Sequence, residues 1–233
     1  MKKIDLTGKR ILITGGAGFI GANLILSLLQ TVKSVNILTV DNINDYYDVS
    51  LKEWRLQQIE SEATQHEESK FEFIKGDISD VGLVNQIFAD FKPDIVVNLA
   101  AQAGVRNSIT NPDAYIKSNI IGSYNILEAC RHSYDNENGV EHLVFASSSS
   151  IYGNGKEIPY KTDSNTDKPI SLYAATKKSD EMLAHVYSYL FGIPITGLRF
   201  FTVYGPGGRS DMAYFKFTKK LINDEKIQIF NYG

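Results

Sequence analysis

Short runs rich in β-branched residues alternate along this chain with longer amphipathic stretches, and that alternation restricts the fold more than any other feature. The strand candidates are Arg10–Thr14, Val35–Val40, Phe71–Lys75, Ile95–Leu99, His142–Ala146 and Ile195–Arg199. Several are apolar at consecutive positions, the pattern of strands buried on both faces of a parallel sheet. Helix candidates lie between them at Phe19–Gln30, Val49–Glu62, Val81–Asp90, Pro112–His132 and Ser171–Phe191. The order predicts repeated βαβ units with right-handed crossovers, hence a doubly wound α/β domain with a parallel sheet. Asp135–Gly139 and Lys156–Pro169 read as surface loops. Lys226–Phe230 reads as one more short strand, and Asn231-Tyr232-Gly233 follows it with no closing element. The expectation is that the protein continues past Gly233.

Bulk properties exclude several classes of function. The apolar runs are too short to span a bilayer, and the start of the chain lacks the apolar stretch of a signal peptide. A formal net charge of −3 gives no electrostatic reason to expect a nucleic-acid partner. Cys130 is the only cysteine, so no intrachain disulfide forms, in keeping with a reducing cytoplasm.

The first strand runs into Thr14-Gly15-Gly16-Ala17-Gly18-Phe19-Ile20-Gly21 and then into the first helix. These glycines satisfy Gly-x-Gly-x-x-Gly and Gly-x-x-Gly-x-x-Gly together. The early ones permit a tight turn and a close backbone approach to a pyrophosphate. The last lets the helix pack on the strand with its N-terminal amides facing the phosphates. A glycine pattern alone is weak evidence, but the strand–turn–helix context is present. Asp41 closes the second strand candidate 20 residues beyond Gly21, where a carboxylate accepts hydrogen bonds from adenosine ribose hydroxyls. It would repel a 2′-phosphate, and no Lys or Arg follows it until Lys52, which favours NAD over NADP. In isolation Asp41 would be read equally well as a turn former before Asn42. Asp77 and Ile78 end the third strand, where they would meet an adenine edge; Asp77 reads equally as an ordinary turn residue. Leu99, Ala100 and Ala101 end the fourth with little bulk near the backbone.

Tyr173 and Lys177 are four apart in Ser171-Leu-Tyr-Ala-Ala-Thr-Lys-Lys, so a helix places both on one face. An ammonium near a phenol favours the phenolate and makes tyrosine a usable base near neutral pH. Such pairs are common on surface helices; this one gains weight by following the fifth strand of a nucleotide-binding sheet. Ser147-Ser148-Ser149-Ser150 ends that strand, where a hydroxyl can relay a proton or hold a substrate oxygen, although in isolation the four read better as a polar strand end feeding a turn.

With these features in place, the sequence resembles the extended short-chain dehydrogenase/reductases, and within them the UDP-glucuronate 4-epimerases. The matching stretches are Thr14–Gly21, Asp41–Asp48, Asn98-Leu-Ala-Ala-Gln-Ala-Gly-Val-Arg106, Ala146-Ser-Ser-Ser-Ser-Ile-Tyr-Gly153, Tyr173-Ala-Ala-Thr-Lys-Lys178 and Thr196-Gly-Leu-Arg-Phe-Phe-Thr-Val-Tyr-Gly-Pro206. The resemblance covers essentially the whole chain. It implies a Rossmann-type NAD-binding domain over residues 1–199 and the beginning of a nucleotide-sugar-binding lobe over 200–233, incomplete here. It implies that Tyr173 is the base, Lys177 its electrostatic partner and nicotinamide-ribose ligand, and Ser148 the hydroxyl in the proton path. Gly15, Gly18, Phe19, Ile20, Gly21, Asp41, Asn42, Asp77, Ile78, Leu99, Ala100 and Ala101 would complete the NAD site. Ser149, Ser150, Arg106 and Arg209 would contact the UDP-sugar, and Asn119, Arg199 and Tyr204 would face cofactor or substrate. Arg106 reads as readily as a surface arginine flanking a helix. The chain departs from the family at Gly207-Gly-Arg-Ser-Asp-Met-Ala213, where an aromatic residue and then Gly-Arg-Pro-Asp-Met-Ala is usual.

The resemblance implies an NAD-dependent isomerase: oxidation at C4 with Tyr173 taking the hydroxyl proton, turnover of the 4-keto sugar, and return of hydride to its other face. Other nucleotide-sugar 4-epimerases remain open. So do a 4,6-dehydratase and a uronate decarboxylase, although these place an acid where this chain has serine from 147 to 150. An NAD-sensing or scaffolding protein on the same fold is the reading from a different class, and the intact Tyr/Lys pair argues against it. The resemblance also implies a homodimer through the helices at Pro112–His132 and Ser171–Phe191, with Ile116, Ile120, Leu127, Leu183 and Leu190 as candidate contacts. Core packing accounts for apolar residues at those spacings equally well.

Overall fold

The computed structural model describes residues 5–135, 139–155 and 158–229. The strands are β1 (Arg10–Thr14), β2 (Asn36–Asp41), β3 (Lys70–Lys75), β4 (Ile95–Asn98), β5 (His142–Ser148) and β6 (Ile195–Phe200). They pair in parallel in the order β3-β2-β1-β4-β5-β6. The chain therefore leaves β1 in one direction to build β2 and β3, and in the other to build β4, β5 and β6. A crevice opens at that reversal, above the carboxyl ends of β1 and β4.

Period-two alternation divides the strand side chains between two cores. Ile11, Ile13, Ile37 and Ile95 pack under Ile25, Leu29 and Ile59, the latter from α1 (Phe19–Thr31) and α2 (Val49–Ala63). Leu12, Leu38, Val96 and Leu143 face the other way. They meet Val84 and Ile87 of α3 (Val81–Phe91) and residues of the helices described next. Each fully buried aliphatic side chain of this kind contributes roughly 1.5–3 kcal/mol.

After β4 come two single turns, α4 (Asn107–Thr110) and α5 (Pro112–Tyr115), then a π-helical stretch (Ile116–Ile121) continuous with α6 (Gly122–Ser133). A 3₁₀ turn (Ser149–Tyr152) follows β5. The long helix α7 (Leu172–Phe191) starts where the Ser171 hydroxyl accepts the Ala174 N–H, and it ends at Gly192 in the left-handed conformation. A final helix, α8 (Ala213–Ile222), was not expected from the sequence, and none of its residues is buried.

The expectation of consecutive buried residues holds for β1, β2 and most of β4. It does not hold for β6, where Thr196, Gly197 and Leu198 are exposed at the sheet edge. The strand expected at Lys226–Phe230 is not formed over 226–229; Phe230 and the residues after it lie outside the described ones. An apolar run becomes a strand only beside a partner edge, and residues 226–229 pair with none of the six strands.

Candidate active site

The glycine loop forms the floor of the crevice, and its glycines are forced by contact. Gly15 has φ +75°, and a Cβ there would lie 2.8 Å from the Ala100 nitrogen. A Cβ on Gly21 would lie 2.4 Å from the Gly15 carbonyl oxygen, so the first turn of α1 seats on the loop only with glycine there. The α1 N-cap is Gly18, which offers no side-chain acceptor, so the N–H groups of the first turn keep their capacity for an anion. Backbone approach, free helix amides and the absence of Cβ atoms together fit a dinucleotide pyrophosphate.

A cleft of about 470 Å³ continues from this loop along the strand ends. Among the residues expected at the cofactor, Gly15, Gly18, Phe19, Ile20, Gly21, Asp41, Asn42, Asp77, Ile78, Leu99, Ala100, Ala101, Tyr173 and Lys177 all line it. Asp41 is held at the tip of β2 by the Ala17 N–H (3.2 Å) and the Ile43 N–H (2.9 Å). Asp77 accepts from the Ser79 N–H and hydroxyl, which with Asn42 and Lys117 hold its carboxyl below the usual range although burial pushes the other way. The Thr14 hydroxyl donates to Asn98 Oδ1 (2.6 Å) and accepts the Ala100 N–H (3.0 Å), locking the tips of β1 and β4 where they meet the cleft.

The catalytic candidates converge from two elements. Ser148 ends β5, 8% exposed, with its oxygen accepting from the Ser150 N–H (3.2 Å) and hydroxyl (2.9 Å); its own proton is left to donate into the cleft. Ser147 also lines the cleft, but its hydroxyl is committed to Glu181 (2.6 Å). Tyr173 packs edge-on against Tyr115, ring centroids 6.2 Å apart. Lys177, 3% exposed, places its Nζ 3.2 Å from Asp180 Oδ2. Behind the pair, Asn119 in the π-helical stretch donates to the Gln102 carbonyl (3.1 Å) and Thr176 Oγ1 (2.9 Å) and accepts the Gln102 N–H (2.8 Å). Asn119 is thus a buried brace between the β4 loop and α7, not a cleft-lining group.

On the expected substrate side, Ser149, Ser150 and Arg209 line the cleft, while Arg106, Arg199 and Tyr204 do not. Arg106 is exposed at the start of α4, because the chain turns outward at Gly104 (φ +104°) while Tyr115 Oη donates to the carbonyls of residues 103 and 104. Arg199 is drawn to the far face of β5 by Glu181 (2.9 and 3.0 Å), the Tyr152 hydroxyl (3.0 Å) and the Thr162 carbonyl (2.9 Å). Tyr204 is 80% exposed. Arg209 makes a two-pronged ion pair with Asp211 (2.9 and 2.6 Å) and stacks over Tyr46. Burial and the Asp211 carboxylate push the Tyr46 phenol up to about 12, so it stays a neutral platform.

Several cleft residues escaped the sequence reading. Asn44, Tyr46, Tyr47 and Lys52 line the wall beyond Asp41, and Gln102, Ser118, Thr202 and Asp211 complete the far side. Lys52 is 4% exposed and donates to the carbonyl and side chain of Asn44 (2.8 Å each), and burial pulls its ammonium below the ordinary value. Eleven positions beyond Asp41 in sequence, it nonetheless shares Asp41's wall of the cleft. Arg55, 2% exposed, donates to Ala17 O (3.0 Å), the Tyr47 hydroxyl (2.7 Å) and Gly207 O (2.7 and 3.0 Å).

A dinucleotide crevice with a tyrosine–lysine pair in its wall places the chain among the short-chain dehydrogenase/reductases. The family model for GDP-mannose 4,6 dehydratase matches residues 12–232, and the chain belongs to that family. It is 52% identical over 224 residues to Protein CapI of Staphylococcus aureus, covering 96% of this chain and 63% of that protein. It is 44% identical over 223 residues to UDP-glucuronate 4-epimerase 2 of Arabidopsis thaliana, covering 96% of this chain and 48% of the plant enzyme. Among solved structures, UDP-glucuronic acid 4-epimerase from Bacillus cereus in complex with UDP-glucuronic acid and NAD superposes with a TM-score of 0.83 at 35% identity, over 95% of this chain and 65% of that one. The chain thus spans about half to two-thirds of the length of these relatives. Among the described residues no helix is long and apolar enough to cross a membrane.

Proposed function

We propose that the protein is an NAD-dependent nucleotide-sugar 4-epimerase, acting on UDP-glucuronate to give UDP-galacturonate. The observation that carries the reading is that Tyr173 and Lys177 line the same cleft as the glycine loop and Asp41. Bound NAD would supply a reversible hydride acceptor at the sugar C4. The chain's own residues do the rest. The α1 amides would hold the pyrophosphate, Asp41 would hold the adenosine ribose, and Lys177 would bind the nicotinamide ribose. Tyr173 takes the proton of the 4-hydroxyl, the Ser148 hydroxyl holds the same oxygen, and Tyr173 later returns the proton.

Ser149 and Ser150 offer hydroxyls to a polar sugar at the cleft wall, whereas Arg209 is already paired through two nitrogens with Asp211 and does not by itself select a carboxylate. The reading is also supported by the names of the plant and Bacillus relatives. A dehydratase needs a protonated acid near the end of β5. The acid found there, Glu181, is held below the usual carboxylate range by Arg199 and Ser147 against the effect of burial, so it stays ionised.

A homodimer belongs to the same proposal. Tyr124 on α6 and Met182, Val186 and Leu190 on α7 are 45–61% exposed, an apolar face open to a second copy. Leu127 and Leu183 instead pack into the core, so they drop out as contacts.

The test is incubation of the full-length protein, with NAD, separately with UDP-glucuronate, UDP-glucose and UDP-N-acetylglucosamine, followed by separation of products. Conversion of UDP-glucuronate alone is expected. Conversion confined to the neutral sugars would transfer the activity to another 4-epimerase class, and conversion of none would return the scaffolding reading.

A further inference from the structure

Asp180 occupies a position that the proposed mechanism does not use. It lies one helical turn beyond Lys177 on α7, and both side chains are almost sealed from solvent, at 3% and 4% exposure. Its Oδ2 is 3.2 Å from Lys177 Nζ. Its Oδ1 is a buried oxygen with no hydrogen-bond partner. Isolated buried carboxylates are costly, and an aspartate is kept in such a place only against a charge that it balances. Sequence periodicity gives no reason for an acid there, on the inward face of a helix whose other buried residues include Ala174, Ala184 and Tyr187.

We propose that Asp180 is a positioning residue: the buried counter-ion that anchors the Lys177 ammonium beneath Tyr173 and sets the pH range over which the Tyr173–Lys177 pair works. The inference rests on the assignment of Tyr173 and Lys177 as the working pair. One of the three ammonium donors is committed to Asp180, and the remaining two are free to face the cleft. Tyr173, Lys177 and Asp180 follow at intervals of four and three residues, so one face of α7 carries phenol, ammonium and carboxylate in line. The other groups facing Asp180 are Glu181 on the same helix and the Ser123 hydroxyl on α6, which accepts from Asn98 at the tip of β4. Tyr173 faces Tyr115 of α5 as well as Lys177. Burial raises the proton affinity of Asp180, and Lys177 opposes that rise.

The sign of the effect is fixed by charge alone. A carboxylate disfavours loss of a proton by both the phenol and the ammonium, so neutralising it moves both titrations to lower pH. Asp180 and Tyr173 are seven residues apart, about 10 Å along a helix, where a unit charge in a partly polar interior shifts a titration by roughly half a unit to one unit.

The experiment titrates the Tyr173 phenolate by ultraviolet absorbance, as the difference between each protein and its Tyr173→Phe counterpart, with NAD bound. Asp180→Asn is expected to lower the Tyr173 midpoint by roughly half a unit to one unit. Asp180→Glu, which keeps the charge, is expected to leave it unmoved, and Asp180→Ser, which removes the charge with less bulk, serves as the second variant with the same expected lowering should Asn destabilise the fold. The pH–rate profile of UDP-sugar turnover is expected to move with the midpoint, with KM changing less than kcat. An unmoved or raised midpoint in a folded Asp180→Asn protein overturns the proposal and leaves Asp180 a packing residue. A lowered midpoint without turnover of any UDP-sugar supports the role of Asp180 while refuting the epimerase reading.

Discussion

Arg55 donates to the Gly207 carbonyl from both Nε (3.0 Å) and Nη2 (2.7 Å), while its Nη1 holds the Ala17 carbonyl at 3.0 Å. One buried guanidinium thus ties the glycine loop to the segment that carries Arg209. Arg55→Met leaves these carbonyls without donors in a site 2% exposed. The expected loss of stability is on the order of 3 kcal/mol, read as a lowered thermal midpoint, with weaker binding of both NAD and UDP-sugar. Unchanged stability would mean that the loop carbonyls find water once the arginine is gone.

Gly15→Ala puts a methyl group 2.8 Å from the Ala100 nitrogen in a left-handed residue. The left-handed conformation costs an alanine roughly 1–2 kcal/mol before the contact is counted. Calorimetry is expected to show NAD affinity down at least about tenfold, since 1.4 kcal/mol is a factor of ten. The circular dichroism spectrum is expected to stay the same.

Tyr173→Phe removes the hydroxyl and keeps the ring packed on Tyr115. Turnover is expected to fall by a factor of about 10² to 10⁴, the range for loss of a general base, while NAD stays bound. A fully active variant sinks the assignment of the base.

Most of the sheet was legible because buried parallel strands advertise themselves: β1 and β4 begin where Arg10 and Ile95 were expected, and β1 ends at Thr14. Asp41 was legible too, since its place at a strand end is fixed by the length of one βα unit. What failed to show is what depends on the third dimension. Nothing in the sequence marks Lys52 or Arg55 as buried, yet Lys52 is held by Asn44 and Arg55 by the Ala17, Gly207 and Gly208 carbonyls. The π-helical stretch around Asn119 has the same apolar spacing as an α-helix, so sequence did not separate them. α8 does carry apolar residues at helical spacing (Tyr214, Phe217 and Leu221), a signal the sequence reading passed over, although none of its residues is buried in the structure.

Glu128 gives a pH prediction away from the cleft. Its carboxyl is held down at about 2, by Arg131 first (2.7 and 3.0 Å) and, against burial, by Tyr187 and His132. A depressed carboxylate stabilises fully above its unfolded value near 4.5, and that contribution is lost as pH falls through about 2. Glu128→Gln is therefore expected to destabilise at pH 7 and to flatten the acid limb of the stability curve between those values. Parallel acid limbs in urea titrations of the two proteins would rule this out.

The central claim, that the sugar is oxidised and reduced at C4 on a cofactor that never leaves, is tested most directly with UDP-glucuronate carrying deuterium at C4. The protein with its bound NAD is expected to give UDP-galacturonate with the label retained at C4, no exchange with solvent and a slowed rate. Loss of the label to water, or product formed at the same rate with and without deuterium, would contradict the account.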